Sequence, residues 1–369
     1  MPKSQKNVLC IVGARPNYMK VAPIHAALAA SGRFHPALIH TGQHYDAEMN
    51  DAFFRELGMP APDVNLDVGS ASHAVQTAEV MRRFEPVLDQ TADPVVLVVG
   101  DVNSTLACAL VAVKKGVPVL HVEAGLRSGD RTMPEEINRI LTDQMSDMLF
   151  TTERTALDNL TREGIAAARV HFVGNVMIDS LRANLPRAVP PAQTLAAHGF
   201  APPPAFAVAT LHRPANVDEP DILRRLLESL RIIGQSLPVV LPLHPRTKGR
   251  IQAAGLDHFL DGHTILPLGP ASYLTMLGLM AQARLVLTDS GGIQEETTAL
   301  GVPCLTLRDN TERPITISEG TNTLIGRDSD AILAAARTIM ETGGKRGRVP
   351  EFWDGHASDR IVAAMIQAL

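Results

Sequence analysis

Short apolar runs, each closed by a turn or charged residue, recur along nearly the whole chain with a helical pattern between one run and the next. Residues 8–12, 37–40, 95–99, 117–122, 149–152 and 170–173 are such runs, and 19–30, 48–57, 74–88, 105–115, 135–145 and 154–163 carry apolar residues at helical spacing. Continuous apolar runs read as parallel strands buried on both faces, and strict strand–helix alternation forces right-handed crossovers. The expected class is therefore α/β with doubly wound sheets.

The rhythm breaks once. Pro186, Pro190, Pro191, Pro202, Pro203 and Pro204 crowd into residues 186–204, which is the best linker candidate. Alternation then resumes with strands expected at 206–211, 239–243, 285–288 and 304–307, and helices at 222–235, 273–282, 293–299, 330–341 and 357–369. A length of 369 residues suits two such units. We expect Rossmann-like domains over residues 1–178 and 179–355, facing each other across a cleft, with a last helix at 356–369 packing back on the first domain.

Composition narrows the function classes. A net charge of −5, with aromatic residues at only 4%, gives no footprint for nucleic acid. Cys10, Cys108 and Cys304 lie far apart, so neither a disulfide framework nor a thiolate metal site is indicated. The polar start at residues 1–7 and the apolar run ending at Gly13 are too brief for a signal sequence, and no stretch approaches a membrane span. A cytoplasmic protein without a membrane partner is expected.

In open α/β sheets ligands sit beyond the carboxyl ends of the strands, so the chemistry is sought in the residues just after each run. Gly13-Ala14-Arg15-Pro16, Thr41-Gly42-Gln43-His44, Gly100-Asp101 and Glu123-Ala124-Gly125-Leu126-Arg127 come after runs of the first half. His212-Arg213-Pro214, His244-Pro245-Arg246 and Asp289-Ser290-Gly291-Gly292 come after those of the second. Ser290, Gly291 and Gly292 ahead of a helix would offer backbone N–H groups and a positive helix end to a diphosphate, with Glu296 one turn on, within reach of a ribose diol. A plain tight turn fits the same residues. No GxGxxG and no Walker sequence occurs, so neither a standard NAD site nor a P-loop is supported.

Asp101, Glu123, Glu135 and Glu136 form a second group, and convergent carboxylates suit proton transfer. Helix capping by Asp101, or helix-start preference of Glu135 and Glu136, accounts for each taken singly. His212 and His244 are placed to meet phosphate or to act as acids. His40 and His44 invite a metal reading, but no compact carboxylate–histidine set accompanies them, and Asp328-Ser329-Asp330 reads as a helix cap. No metal is expected.

Taken in order, Gly13-Ala14-Arg15-Pro16 with Lys20, Gln43-His44, Gly100-Asp101, His121 to Arg127, Pro134 to Arg139, His212-Arg213, Asp289 to Glu296 and Thr311-Glu312-Arg313-Pro314 resemble the non-hydrolysing UDP-N-acetylglucosamine 2-epimerases over essentially the whole chain. The resemblance implies two Rossmann-like domains of the GT-B type and an isomerase interconverting UDP-GlcNAc and UDP-ManNAc for polysaccharide biosynthesis. It implies loss of UDP to give 2-acetamidoglucal, then re-addition with the other configuration at C2, without a cofactor.

Asp101, Glu123 and Glu135 would be its proton-transfer carboxylates. His212, Arg213, Arg15 and Arg139 would hold the departing diphosphate or order the site, Ser290 to Gly292 would give it N–H groups, and Glu296 and Arg313 would bind the nucleotide. Lys20, Gln43 and His244 complete the expected substrate contacts, and a homodimer is expected. Asn17 stands where many family members carry Glu, and Pro214 replaces an arginine. Thr41 to Asp46 also resembles epimerases of UDP-2,3-diacetamido-glucuronate. That sugar, or a GT-B glycosyl transfer, is the alternative.

Overall fold

A computed structural model describes residues 5–42, 54 and 56–369. The chain divides into two compact units, Met1–Ala183 with Glu351–Leu369, and Asn184–Pro350. Each is a doubly wound, Rossmann-like α/β unit.

Among the described residues, the first unit holds seven strands: β1 (Lys6–Val12), β2 (Phe34–His40), β3 (Val64–Asn65), β4 (Pro94–Val99), β5 (Val119–Ala124), β6 (Met148–Thr151) and β7 (Val170–Phe172). They lie in the order β3-β2-β1-β4-β5-β6-β7, all parallel. Leu9, Ile11, Val96 and Val98 face Val80, Phe84 and Leu88 of the helix His73–Gln90. Burial of these apolar side chains on both sheet faces is the main force holding a parallel sheet.

The second unit repeats the plan with β8 (Ala207–Thr210), β9 (Val239–Pro242), β10 (Ile265–Leu268), β11 (Leu285–Thr288), β12 (Cys304–Thr306) and β13 (Asn322–Leu324) in the order β10-β9-β8-β11-β12-β13. Alternate residues go to opposite faces: Ala207 and Ala209 pack with Leu223, Leu227 and Leu230, while Val208, Val240 and Val286 pack with Leu279 and Met280. In both sheets the order reverses beside the first strand, at β1/β4 and β8/β11, where such folds bind ligands.

The Pro-rich stretch expected to act as a linker belongs to the second unit. The Val189 N–H donates to the Leu274 carbonyl at 3.1 Å, and Leu195 in the helix Pro191–Ala197 is fully buried. Pro191 stands at the first helical position, where its missing N–H costs nothing, so proline there starts a helix instead of loosening the chain.

The last helix, Ala357–Ala368, packs on the helix Arg15–Ser31. Asp179 accepts hydrogen bonds from the Ala357 and Ser358 amides at 3.1 and 2.7 Å and from the Ser358 hydroxyl at 2.7 Å. Trp353, the sole tryptophan, is buried and donates from Nε1 to the Thr152 carbonyl at 3.0 Å. Among the described residues, no helix is long and apolar enough to cross a membrane.

Candidate active site

In the first unit the switch point is built from the turns after β1 and β4. Asn17 Oδ1 accepts from the Gly13 and Ala14 amides at 3.3 and 3.0 Å, and Asn17 Nδ2 donates to the Val99 carbonyl at 3.1 Å. An amide both accepts and donates, which an ionised carboxylate cannot, so Asn suits this position. One turn further on, Lys20 forms a buried ion pair with Glu123. Gly100 adopts φ +66°, and a Cβ there would lie 3.0 Å from Lys20 Nζ, so a bare backbone lets the ammonium come close.

Glu123 itself has φ +70°, and the pairing of β5 with β6 shifts register between Val122 and Ala124. Such a conformation costs a non-glycine residue about 1–3 kcal/mol and persists only where its surroundings enforce it. Here it turns the last residues of a buried strand so that a carboxylate meets Lys20.

Asp101, half-buried after β4, pairs with Arg139. That guanidinium also donates to Glu136 Oε2 from both Nε and Nη2, at 3.0 and 2.7 Å, two charge-assisted bonds converging on one oxygen. Asn138 Nδ2 donates to the Asp101 carbonyl at 2.9 Å. Burial would raise the Glu136 carboxyl, yet the Ser128 amide, Arg139 and the Gly129 amide together hold it below the usual carboxylate range. Glu136, weighed from sequence as a helix-start residue, thus orients Arg139. Glu135, its neighbour in the first turn of the helix Pro134–Met145, is half-buried.

In the second unit Asp289 directly follows β11 and ties down the turn after the adjacent β8. Its carboxylate accepts from the amides of His212 and Arg213 at 3.0 Å each, from Asn216 Nδ2 at 3.1 Å, and meets His212 Nδ1 at 2.7 Å. Burial pushes this carboxyl up, but the His212 ring and the two amides outweigh it and hold it below the usual range. Because a carboxylate only accepts, Nδ1 of His212 carries the hydrogen, and the half-exposed ring is left with Nε2 to meet a ligand.

Directly after Asp289 the helix Gly291–Leu300 begins, with Ser290 as its N-cap position. A Cβ on Gly291 would stand 2.6 Å from Arg313 Nη1 and 2.8 Å from Glu312 Oε1. A side chain there would have to push aside the ends of Arg313 and Glu312, which are held in buried ion pairs. Glu312 meets Arg313 at 2.5 Å and Arg308 at 2.8 Å, and Arg313 Nε meets Glu295 at 2.9 Å. Burial opposes ionisation of Glu312, yet Arg313 and Arg308, with Arg213 further off, hold its carboxyl well below the usual range.

One turn into the helix, Glu296 is buried and accepts from the Tyr273 hydroxyl at 3.0 Å. Burial pushes its carboxyl up to about 8, with the Tyr273 bond pulling the other way and Glu295 adding to the rise.

The expected residues thus fall into two sets. Lys20, Asp101, Glu123 and Arg139 gather in the first unit, and Glu135 lies one turn from Arg139 on the same helix. His212, Arg213, Ser290, Gly291, Gly292, Glu296 and Arg313 gather in the second. His244 is exposed at the N-cap of the helix Pro245–Ala253, where its ring accepts from the Arg246 amide at 3.2 Å. Arg15 opens the helix Arg15–Ser31. Gln43 and His44 lie outside the described residues. His40 bonds Tyr18 and Asn65 at 2.6 and 3.0 Å, and Asp328 caps the helix Ser329–Thr342. Among the described residues no group of three or more His, Cys, Asp or Glu could hold a metal ion.

The model of a family described as UDP-N-acetylglucosamine 2-epimerase matches residues 26–366. The chain is 44% identical over 358 residues to the UDP-2,3-diacetamido-2,3-dideoxy-D-glucuronate 2-epimerase of Pseudomonas aeruginosa, covering 96% of this chain and 98% of that protein. It is 41% identical to the UDP-N-acetylglucosamine 2-epimerase of Methanocaldococcus jannaschii, covering 95% and 96%. The crystal structure of the M. jannaschii UDP-GlcNAc 2-epimerase in complex with UDP-GlcNAc and UDP is similar with a TM-score of 0.88 and 40% identity, over 98% of this chain and 99% of that one. That of the Neisseria meningitidis UDP-GlcNAc 2-epimerase bound to UDP-GlcNAc also gives 0.88, at 29% identity, over 98% and 100%.

Proposed function

Since the chain belongs to the UDP-N-acetylglucosamine 2-epimerase family, and so is an isomerase, we propose that it interconverts UDP-GlcNAc and UDP-ManNAc by elimination and re-addition of UDP. The C2 hydrogen of the sugar is scarcely acidic until the C1–O bond weakens. Stabilising the leaving diphosphate therefore comes first, and preorganised donors facing developing charge contribute roughly 3 kcal/mol each. His212 Nε2, Arg213 and the N–H groups from Ser290 to Gly292 are assigned that task, with Glu296 and Arg313 on the nucleoside side.

As the C1–O electron pair leaves with UDP, a carboxylate takes the C2 proton and the C–H pair becomes the C1–C2 double bond of 2-acetamidoglucal. Re-addition reverses both changes, with the proton delivered to the other face of C2. Asp101, Glu123 and Glu135 are the proton carriers of this reading, and Lys20 and Arg139 orient them. The observation that carries it is the pairing of Asp101 and Glu123, at the ends of neighbouring strands, each with its own cation. Redox chemistry and hydrolysis play no part, so the reading needs no cofactor.

A second substrate, UDP-2,3-diacetamido-glucuronate, is favoured by the 44% identity to the Pseudomonas enzyme of that name. One experiment addresses both: each UDP-sugar is incubated alone with the protein in D2O and followed by NMR. Deuterium at C2 and the 2-epimer should appear with UDP-GlcNAc, with little free sugar. Exchange with the diacetamido-glucuronate only moves the assignment to that sugar, and no exchange with either defeats the reading. Asp101→Asn should slow exchange by about 10²-fold or more while UDP still binds.

A further inference from the structure

Two buried residues outside the expected set join both turns that carry Asp101 and Glu123. His121, on β5, is fully buried. Its Nδ1 meets Asp143 Oδ1 at 2.7 Å, and its Nε2 meets the Gly100 carbonyl at 2.8 Å. A carbonyl only accepts, so the ring donates to Gly100 from Nε2. Gly100 precedes Asp101, and its own N–H donates to the Val122 carbonyl at 3.0 Å, so this peptide unit is pinned from both sides.

Asp143, fully buried on the helix Pro134–Met145, reaches past the ring with its second oxygen. Oδ2 accepts from the Gly125 amide at 3.0 Å and from Arg127 Nη2 at 2.7 Å. The Gly125 amide lies two residues beyond Glu123, on the far side of the register shift that gives Glu123 its left-handed backbone. Burial opposes ionisation of Asp143, but His121 and Arg127 outweigh it and hold the carboxyl below its usual range. The same helix carries Arg139, which holds the Asp101 side chain.

We propose that His121 and Asp143 are positioning residues of the epimerase reaction: the ring clamps the backbone that carries Asp101, and the carboxylate locks both that ring and the bulge that carries Glu123. Neither residue touches substrate in this proposal. It rests on the reading given under Proposed function and adds a requirement to it. A shift of a proton carrier by a fraction of an ångström lowers the rate of transfer while leaving nucleotide affinity alone, because the nucleotide contacts are assigned to the second unit.

The test uses two near-isosteric variants of the full chain. In His121→Gln the side-chain amide nitrogen stands near the place of Nε2 and keeps a donor for Gly100, whereas in His121→Asn it stands near Nδ1 and loses that donor. Deuterium exchange at C2 of UDP-GlcNAc, or of whichever UDP-sugar the wild type turns over, should fall by about tenfold or more in His121→Asn. KM and UDP affinity should stay within about threefold of wild type, and His121→Gln should recover most of the rate.

An Asn variant that exchanges at the wild-type rate overturns the inference. So does a Gln variant that falls equally far, since the loss would then be one of packing. If His121→Asn binds no UDP, Asp143→Asn takes its place. Its amide oxygen still accepts from Gly125, but a neutral amide replaces the carboxylate that holds the ring and Arg127, and a wild-type rate there overturns the proposal while a slowed rate supports it. Failure of wild type to exchange any UDP-sugar would instead strike the reaction assignment, so the two failures are distinct.

Discussion

Single side chains here are fixed by charge placed where water does not reach. Lys20 and Glu123 are both buried, so removing the lysine takes away a counter-charge where water does not reach. Lys20→Ala should lower unfolding free energy by about 3–5 kcal/mol in denaturant titrations at neutral pH. Glu296 makes a prediction about pH. Its native carboxyl keeps a proton to about 8, against an ordinary value of 4.5, so between these values the native state binds more protons than the unfolded one. Stability from this residue is complete below pH 4.5 and falls as pH rises through the window, by up to about 1.4 kcal/mol per unit. Urea unfolding from pH 5 to pH 9 should show that decline in wild type and a flatter profile in Glu296→Gln.

At the scale of elements, the strand ends present the chemistry, and this much is legible in the residue order. Buried strands such as β4, β8 and β11 carry apolar runs, and the turns after them supplied Asp101, His212 and Ser290. What escaped was of two kinds. β3, β10 and β13 are edge strands, paired on one side only and interrupted by polar residues or Pro267, so they leave no continuous apolar signature. The second kind is tertiary: His121 and Asp143 are 22 residues apart, on a strand and a helix, and no local spacing announces their meeting.

Gly291 shows the reverse case, in which a sequence motif conceals its reason. The glycine admits Glu312 and Arg313, both buried and already paired, so a methyl group there would displace the ends of both side chains from their ion pair. Gly291→Ala should weaken UDP binding by about tenfold in calorimetric titration, equivalent to about 1.4 kcal/mol.

For the whole molecule, the two units differ in how they draw on the chain. The second is one continuous segment, Asn184–Pro350, whereas the first is completed by Glu351–Leu369. Deleting residues 351–369 removes Trp353 and all three donors to Asp179. The first unit should then unfold at a lower temperature while UDP still binds, as scanning calorimetry and a UDP titration would reveal. In the intact chain Trp353 emission should follow this unit alone, because the sole tryptophan sits within it.

A ribosome releases this polypeptide from its N-terminus onward, so the middle segment emerges whole before the earlier one has received its closing piece. Maturation of the nascent protein therefore runs out of order. The portion synthesised first is the portion finished last, and its Arg15–Ser31 surface must wait uncovered through roughly three hundred further residues of translation.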